Sequence, residues 1–461
     1  TGEALYERDP GQRLNPASNA KLFTSAAAMD GLGPDHRFTT DVLATGAVDG
    51  GALRSDLYLR GGGDPTTLAD DYRDLAGQLA AAGVNRVAGD LVADDSYFDD
   101  VPLGRAWSWD DEPYYYAAVT SALTVAPDTD YDAGTVIVET SPGATEGTKP
   151  SLTTRPATSA LVIDNQATTG PAGSANTLSI ERQHASDRVL VTGSIPVNGS
   201  TDREWVTVAN PTTYAADVFA RALKAEGIKL TGGVREGTTP TGSRTLASHQ
   251  SMTLAELLTP FMKLSNNMHA EALVKTLGKE AGGGGSWSAG LEQIRDYAQS
   301  RGVDTSTLRL SDGSGLTRFD LVSADNVADL LVAVRSEPWF ETWYDALPIA
   351  GNPDRFTGGT LRSRMRNTPA ANNLHGKTGT LTSVTALSGY VSNADGRELV
   401  FSMLSNNYLA SPRSAEDALG VTLASWSEAE GADAPTVSSR MLRRTTDYGR
   451  SDVECSWVKA C

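Results

Sequence analysis

The sequence predicts a mixed fold of helices and strands divided among more than one domain. Its 461 residues exceed what one hydrophobic core ordinarily holds. Helical and strand-like apolar patterns alternate along the chain, and no segment repeats internally.

Taken in order, residues 3 to 9 read as a short strand, and 10 to 16 as a loop between two prolines. From Ser18 the spacing of Leu22, Phe23, Ala26, Ala27 and Met29 predicts a buried helix that Gly31 is placed to stop. Apolar alternation within 40 to 63 ends in a Gly-Gly-Gly-Asp-Pro turn, followed by a helix over 67 to 83 and a strand over 86 to 94. Aromatic and acidic residues crowd 97 to 130, and 140 to 176 reads as loops between short strands. Strand patterns return at 177 to 181, 188 to 196 and 204 to 208, before a helix over 211 to 226. A helical pattern runs from Leu254 to Leu277 with a break near Ser265. A glycine-rich turn at 282 to 285, helices at 288 to 301 and 322 to 335, and paired strands at 384 to 391 and 398 to 404 complete the reading.

Composition narrows the function. With 39 Lys and Arg against 57 Asp and Glu, the net charge of -18 opposes nucleic acid and anionic membranes at long range. No run of apolar residues is long enough to span a bilayer as a helix. The sequence has no initiating methionine and no charged-then-apolar leader, which suits a mature or excised chain. The two cysteines, Cys455 and Cys461, fit a small disulfide loop and an oxidising, extracytoplasmic setting. Without a nearby histidine they cannot complete a tetrahedral zinc site, and neither a metal nor a cofactor is expected.

Three short motifs occur in order: Ser18-Asn19-Ala20-Lys21, Ser265-Asn266-Asn267 and Lys377-Thr378-Gly379-Thr380. S-x-x-K recurs at Ser456 and S-x-N at Ser174 and Ser405, whereas K-T-G occurs once, so the ordered set is what informs. On a helix, Ser18 and Lys21 share one face, and a lysine shielded from water can act as base toward the hydroxyl. The first helical turn also offers free N–H groups to developing negative charge. Taken alone, the pair reads as a helix N-cap serine with a solvent lysine. Ser265 and Asn267 interrupt an apolar helix, where polar groups need partners that an adjoining site supplies; a local helix break explains them equally. Around Lys377, glycine permits close backbone approach, lysine supplies a cation, and Thr378 and Thr380 offer hydroxyls to a carboxylate.

Other sites fail on detail. A phosphate loop ending at Gly376-Lys377-Thr378 would need glycine where Ala371 stands, and no G-x-S-x-G pentapeptide exists. None of the five histidines has metal-ligand spacing to another.

The ordered triplet, with Leu264 to Glu271 and Asp312-Gly-Ser-Gly-Leu-Thr-Arg318, resembles the class C low-molecular-mass penicillin-binding proteins, most closely secreted actinomycete DD-peptidases. Those are D-alanyl-D-alanine carboxypeptidases, some also endopeptidases. The 244 positions from Lys21 to Ser265 exceed the spacing in compact β-lactamases and accord with inserted domains. The resemblance implies an α+β fold: a penicillin-recognising transpeptidase domain, an antiparallel sheet flanked by helices, from 1 to 40 and 249 to 461. It implies an inserted domain from 41 to 67 and 161 to 248, with a third domain at 68 to 160 nested within it. Members carry a helix and a first sheet strand ahead of the segment read here as strand 3 to 9.

The resemblance further implies Ser18 as nucleophile, Lys21 as base, and Ser18 and Thr380 N–H groups as the oxyanion hole. Ser265 relays a proton with help from Lys377. Asn267 holds the peptide backbone, and Thr378, Gly379 and Thr380 border the terminal carboxylate. Asp111, Tyr116 and Arg318, with Leu316, Leu381 and Thr382, are expected to receive a diaminopimelate side chain. The implied partners are peptidoglycan peptides ending in D-Ala-D-Ala and β-lactam antibiotics, and the implied location is secreted or cell-wall associated. A serine β-lactamase remains an alternative, although no Glu-x-x-x-Asn loop is evident between Asn267 and Lys377. A non-catalytic peptidoglycan-binding or penicillin-sensing module is the other.

Overall fold

The computed structural model describes residues 3–428 and Lys459. Cys455 and Cys461, expected to form a disulfide loop, lie outside the described residues. The chain divides into two compact units. Unit 1 takes the residues up to His36, Gly104–Ala106 and Thr253 onward; unit 2 takes Arg37–Leu103 and Trp107–Met252.

Unit 1 is built on a three-stranded antiparallel sheet of His375–Leu381, Val384–Ser392 and Glu398–Asn406, in chain order. A two-residue turn, with Ser383 at φ 58°, joins the first pair and sets Lys377 opposite Ser388 and Thr380 opposite Thr385. Leu387, Val391, Leu399 and Phe401 bury their side chains in a core that includes Ala424 from helix Arg413–Ser425. Four further helices carry most of the other apolar burial: Ala20–Gly31, Leu254–Lys263, Asn267–Glu280 and Trp287–Ser300. Burying one large aliphatic or aromatic side chain contributes about 1.5–3 kcal/mol, so a helix such as Leu254–Lys263, with Leu257, Leu258, Phe261 and Met262 inside, is held by packing more than by propensity.

The predicted break at Ser265 has a local cause. Helix Leu254–Lys263 opens on a Thr253/Glu256 capping box and gives way at Leu264. Ser265 then adopts φ 58°, and the Asn266 side chain accepts from His269 N at 3.3 Å to cap helix Asn267–Glu280. The predicted helix from Ser18 forms as Ala20–Gly31, entered through a 3-10 turn at Ala17–Asn19.

Unit 2 carries a mixed sheet ordered Val234–Glu236, Leu91–Asp94, Leu57–Gly61, Thr39–Ala44 and Arg244–Gln250. The first three strands run parallel and the last two pairings are antiparallel. Helices Ala69–Ala81 and Pro211–Ala225 contribute Tyr72, Leu75, Leu79, Tyr214, Phe219 and Leu223 to one core with Val42, Leu59, Leu91 and Val136. Asn210 caps the second helix by accepting from Thr213 N at 3.0 Å, and Pro211 fits its first turn.

One expectation is corrected. Residues 3–9 are exposed and form no strand; among the described residues the nearby chain pairs only through an isolated bridge from Leu14 to Val322. A short apolar run does not make a strand without a neighbouring edge to pair with. The strand Arg244–Gln250 and the helices Phe340–Asp345 and Arg413–Ser425 were not evident in the sequence.

Candidate active site

All three motifs meet inside unit 1. Ser18, Lys21, Ser265 and Lys377 are fully buried, and Asn267 nearly so. Lys21 Nζ lies 2.9 Å from Ser18 Oγ, 2.7 Å from Asn267 Oδ1 and 2.7 Å from the Ser314 carbonyl. A neutral amine has two N–H bonds and one lone pair. In that state Asn267 Oδ1 and Ser314 O, which can only accept, would take the two N–H bonds and leave the lone pair to the Ser18 hydroxyl. Two fixed acceptors and a hydroxyl around a buried nitrogen are the set that a neutral lysine acting as a base requires.

The second cation is separate. Lys377 Nζ donates to Ser265 Oγ at 2.7 Å and to its neighbour's carbonyl, Thr378 O, at 2.9 Å. Asn19, inside S-x-x-K, donates from Nδ2 to Lys377 O at 3.0 Å and so ties the Ser18 turn to the K-T-G strand. That strand is the edge of its sheet. Gly376 N–H points away from the sheet to Pro348 O at 2.9 Å, and the period of two directs Thr378 and Thr380 N–H to the same open side.

Glycine is required at two approaches to Ser18. A Cβ on Gly379 would stand 2.7 Å from Pro16 O and 3.0 Å from Ser18 N. A Cβ on Gly315, at φ 80°, would stand 1.8 Å from Ala17 O. Gly379 therefore admits the chain's own backbone. Ala17 between them is held at φ 45°, an unfavourable conformation for a residue with a Cβ.

The Ser314 carbonyl is fixed by acids that the sequence reading did not single out. Glu271 accepts from Ser314 N at 2.9 Å, Gly313 N at 3.0 Å and Trp287 Nε1 at 2.7 Å. Asp312 accepts from Gly315 N and Thr317 N, each at 2.7 Å. Burial, and next the Asp312 charge, push the Glu271 carboxyl up to about 7, against the three N–H donors. Asp320 is also fully buried; burial, followed by the Asp312 charge, raises its carboxyl well above the usual range. Its Oδ2 meets no hydrogen-bond partner among the described residues.

Thr378 and Thr380 are both buried. Thr378 Oγ1 donates to Thr360 Oγ1 at 2.7 Å, and Thr380 Oγ1 accepts from Arg413 Nη2 at 2.9 Å. Leu316 and Leu381 are buried in unit 1, while Arg318 is exposed and donates from Nη1 to Thr382 O at 2.9 Å. Asp111 and Tyr116 belong to unit 2, where Tyr116 Oη donates to Asp111 Oδ1 at 3.0 Å. Burial, then the Asp111 charge, raises the Tyr116 hydroxyl above its ordinary range, so it stays protonated.

A buried serine paired with a lysine, beside a second lysine-serine pair and an open strand edge, defines a serine acyl-transfer site on an α+β frame. A model of the D-Ala-D-Ala carboxypeptidase 3 (S13) family matches residues 1–426, and the chain belongs to that family. It is 46% identical over 465 residues to a D-alanyl-D-alanine carboxypeptidase of Actinomadura sp. (strain R39), covering 100% of this chain and 85% of the relative. It is 27% identical to D-alanyl-D-alanine carboxypeptidase DacB of Haemophilus influenzae, over 85% of this chain and 80% of that one. The crystal structure of penicillin binding protein 4 (dacB) from Haemophilus influenzae superposes with a TM-score of 0.76 at 26% identity, over 88% of this chain and 87% of its own.

Proposed function

We propose that the chain is a serine DD-peptidase that removes the terminal D-alanine from D-Ala-D-Ala peptides through an acyl-enzyme on Ser18. The observation that carries this is the placement of the buried Lys21 Nζ, 2.9 Å from Ser18 Oγ and 2.7 Å from each of Asn267 Oδ1 and Ser314 O.

In the proposed first stage, Ser18 Oγ bonds to the carbonyl carbon of the penultimate D-alanine while its proton passes to Lys21. The N–H groups of Ser18 and Thr380 receive the negative oxygen. The carbon–nitrogen bond then breaks, and a proton returned through the Ser265 hydroxyl leaves with the D-alanine amine. Lys377, 2.7 Å from Ser265 Oγ, favours the oxygen during that transfer. Water repeats the sequence on the ester and regenerates Ser18. The penicillin-binding name of the Haemophilus protein supports extending the path to β-lactams. A β-lactam's tethered leaving group cannot diffuse away, so the acyl form persists.

The natural substrate we infer is a peptidoglycan stem peptide, and the location extracytoplasmic. No helix among the described residues is long and apolar enough to cross a membrane. For a diaminopimelate side chain, Arg318 offers a guanidinium to the carboxylate. The test is D-alanine release from an N-acylated tripeptide ending in D-Ala-D-Ala. The wild-type chain releases D-alanine and Ser18→Ala does not; equal release by both overturns the assignment.

A further inference from the structure

We infer that Arg413 is the charged receptor for the substrate's terminal carboxylate, an inference that rests on the activity proposed above. A carboxylate leaving water needs formal positive charge or several strong donors. The cation within K-T-G points elsewhere: Lys377 Nζ is buried against Ser265 Oγ and Thr378 O. The two threonine hydroxyls are neutral, and Thr378 spends its hydrogen on Thr360 Oγ1.

Arg413 supplies what this set lacks. It is the first residue of helix Arg413–Ser425 and is half-buried. Its Nη2 donates to Thr380 Oγ1 at 2.9 Å. A hydroxyl that accepts from a guanidinium keeps its own hydrogen for a second acceptor, so Thr380 becomes a directed donor. An anion taking that hydrogen stands within a few ångströms of the guanidinium, inside a site shielded from water. Thr380 also turns its N–H to the open strand edge, so the carboxylate and the reacting carbonyl are read from one residue. The helix that presents Arg413 is anchored from behind by Arg364, which donates from Nη2 to Glu416 at 3.0 Å and from Nε to Asp417 at 2.8 Å.

The inference makes the enzyme prefer a free chain end over a blocked one through Arg413. The experiment compares kcat/KM for an N-acylated tripeptide ending in D-Ala-D-Ala acid with the same peptide as its C-terminal amide. It uses wild type, Arg413→Gln and Arg413→Lys, each checked for an unchanged melting temperature. Arg413→Gln is expected to lose about 10- to 100-fold on the acid, with the amide within about twofold of wild type. Arg413→Lys, which keeps the charge, retains more of the preference. Equal losses on acid and amide, no loss on either, or a lysine variant that discriminates no better than glutamine overturn the inference. A wild-type chain that cleaves neither peptide overturns the proposed activity itself.

Discussion

Gly379 of the K-T-G motif stands so close to Ser18 that a single added carbon would reach 3.0 Å from the Ser18 nitrogen. The glycine of one motif thus sets the position of the serine in another, although more than three hundred residues separate them.

Gly379→Ala is expected to push the Pro16–Ser18 backbone away from the strand edge. Misplacement of a reacting group by about 1 Å costs on the order of 100-fold in rate. Acylation by benzylpenicillin should slow by roughly that factor while the melting temperature moves little. A variant acylated at the wild-type rate would show that the two backbones need not be this close.

The raised carboxyl of Asp320 has a pH signature. Its folded pKa is raised above the ordinary value of 3.8, so its contribution to stability is complete below that value and is lost as pH rises through the folded pKa. Asp320→Asn supplies a permanent N–H in place of the carboxyl O–H and has no proton to lose. Denaturant unfolding should place the variant within about 1 kcal/mol of wild type near pH 5, and its advantage should grow toward pH 9. A difference constant across that range would mean Asp320 is ionised throughout.

Much of the site was legible because its motifs carry side chains whose chemistry requires company. Ser18, Lys21, Ser265, Asn267 and Lys377 are types whose reactivity singles them out, and the fold brings Lys21 within hydrogen-bond reach of Ser18 and Asn267, and Lys377 of Ser265. Ser314 was less visible, since it contributes a backbone carbonyl that any residue type provides. Glu271 and Asp312 lay inside quoted segments, yet only burial distinguishes them from surface acids. Arg413 follows Pro412 on a helix whose buried residues are Glu416, Gly420 and Ala424, a face with no large apolar side chain to mark it. Strand Arg244–Gln250 was hidden for another reason: its partner Thr39–Ala44 lies two hundred positions away, and only Ala247 on it is buried. Residues 3–9 failed in the opposite sense, with a pattern but no edge.

Arg364 anchors the helix bearing Arg413 through the buried Glu416. Arg364→Ala leaves that carboxylate uncompensated and should destabilise unit 1 by about 3 kcal/mol. Combining Arg364→Met with Glu416→Leu should recover most of the loss, since no buried charge is then stranded and Asp417, the other partner of Arg364, is part-exposed to water. Denaturant titration of the single and double variants checks this; a double variant as unstable as Arg364→Ala would place the cost in packing.

The central claim is that Lys21 turns Ser18 into the nucleophile. Intact-mass measurement after benzylpenicillin treatment, followed by peptide mapping, tests it most directly. The account predicts one penicilloyl group, carried by the peptide containing Ser18 and absent from Lys21→Ala over the same interval. An unmodified wild-type mass, or an adduct on any other residue, would contradict it.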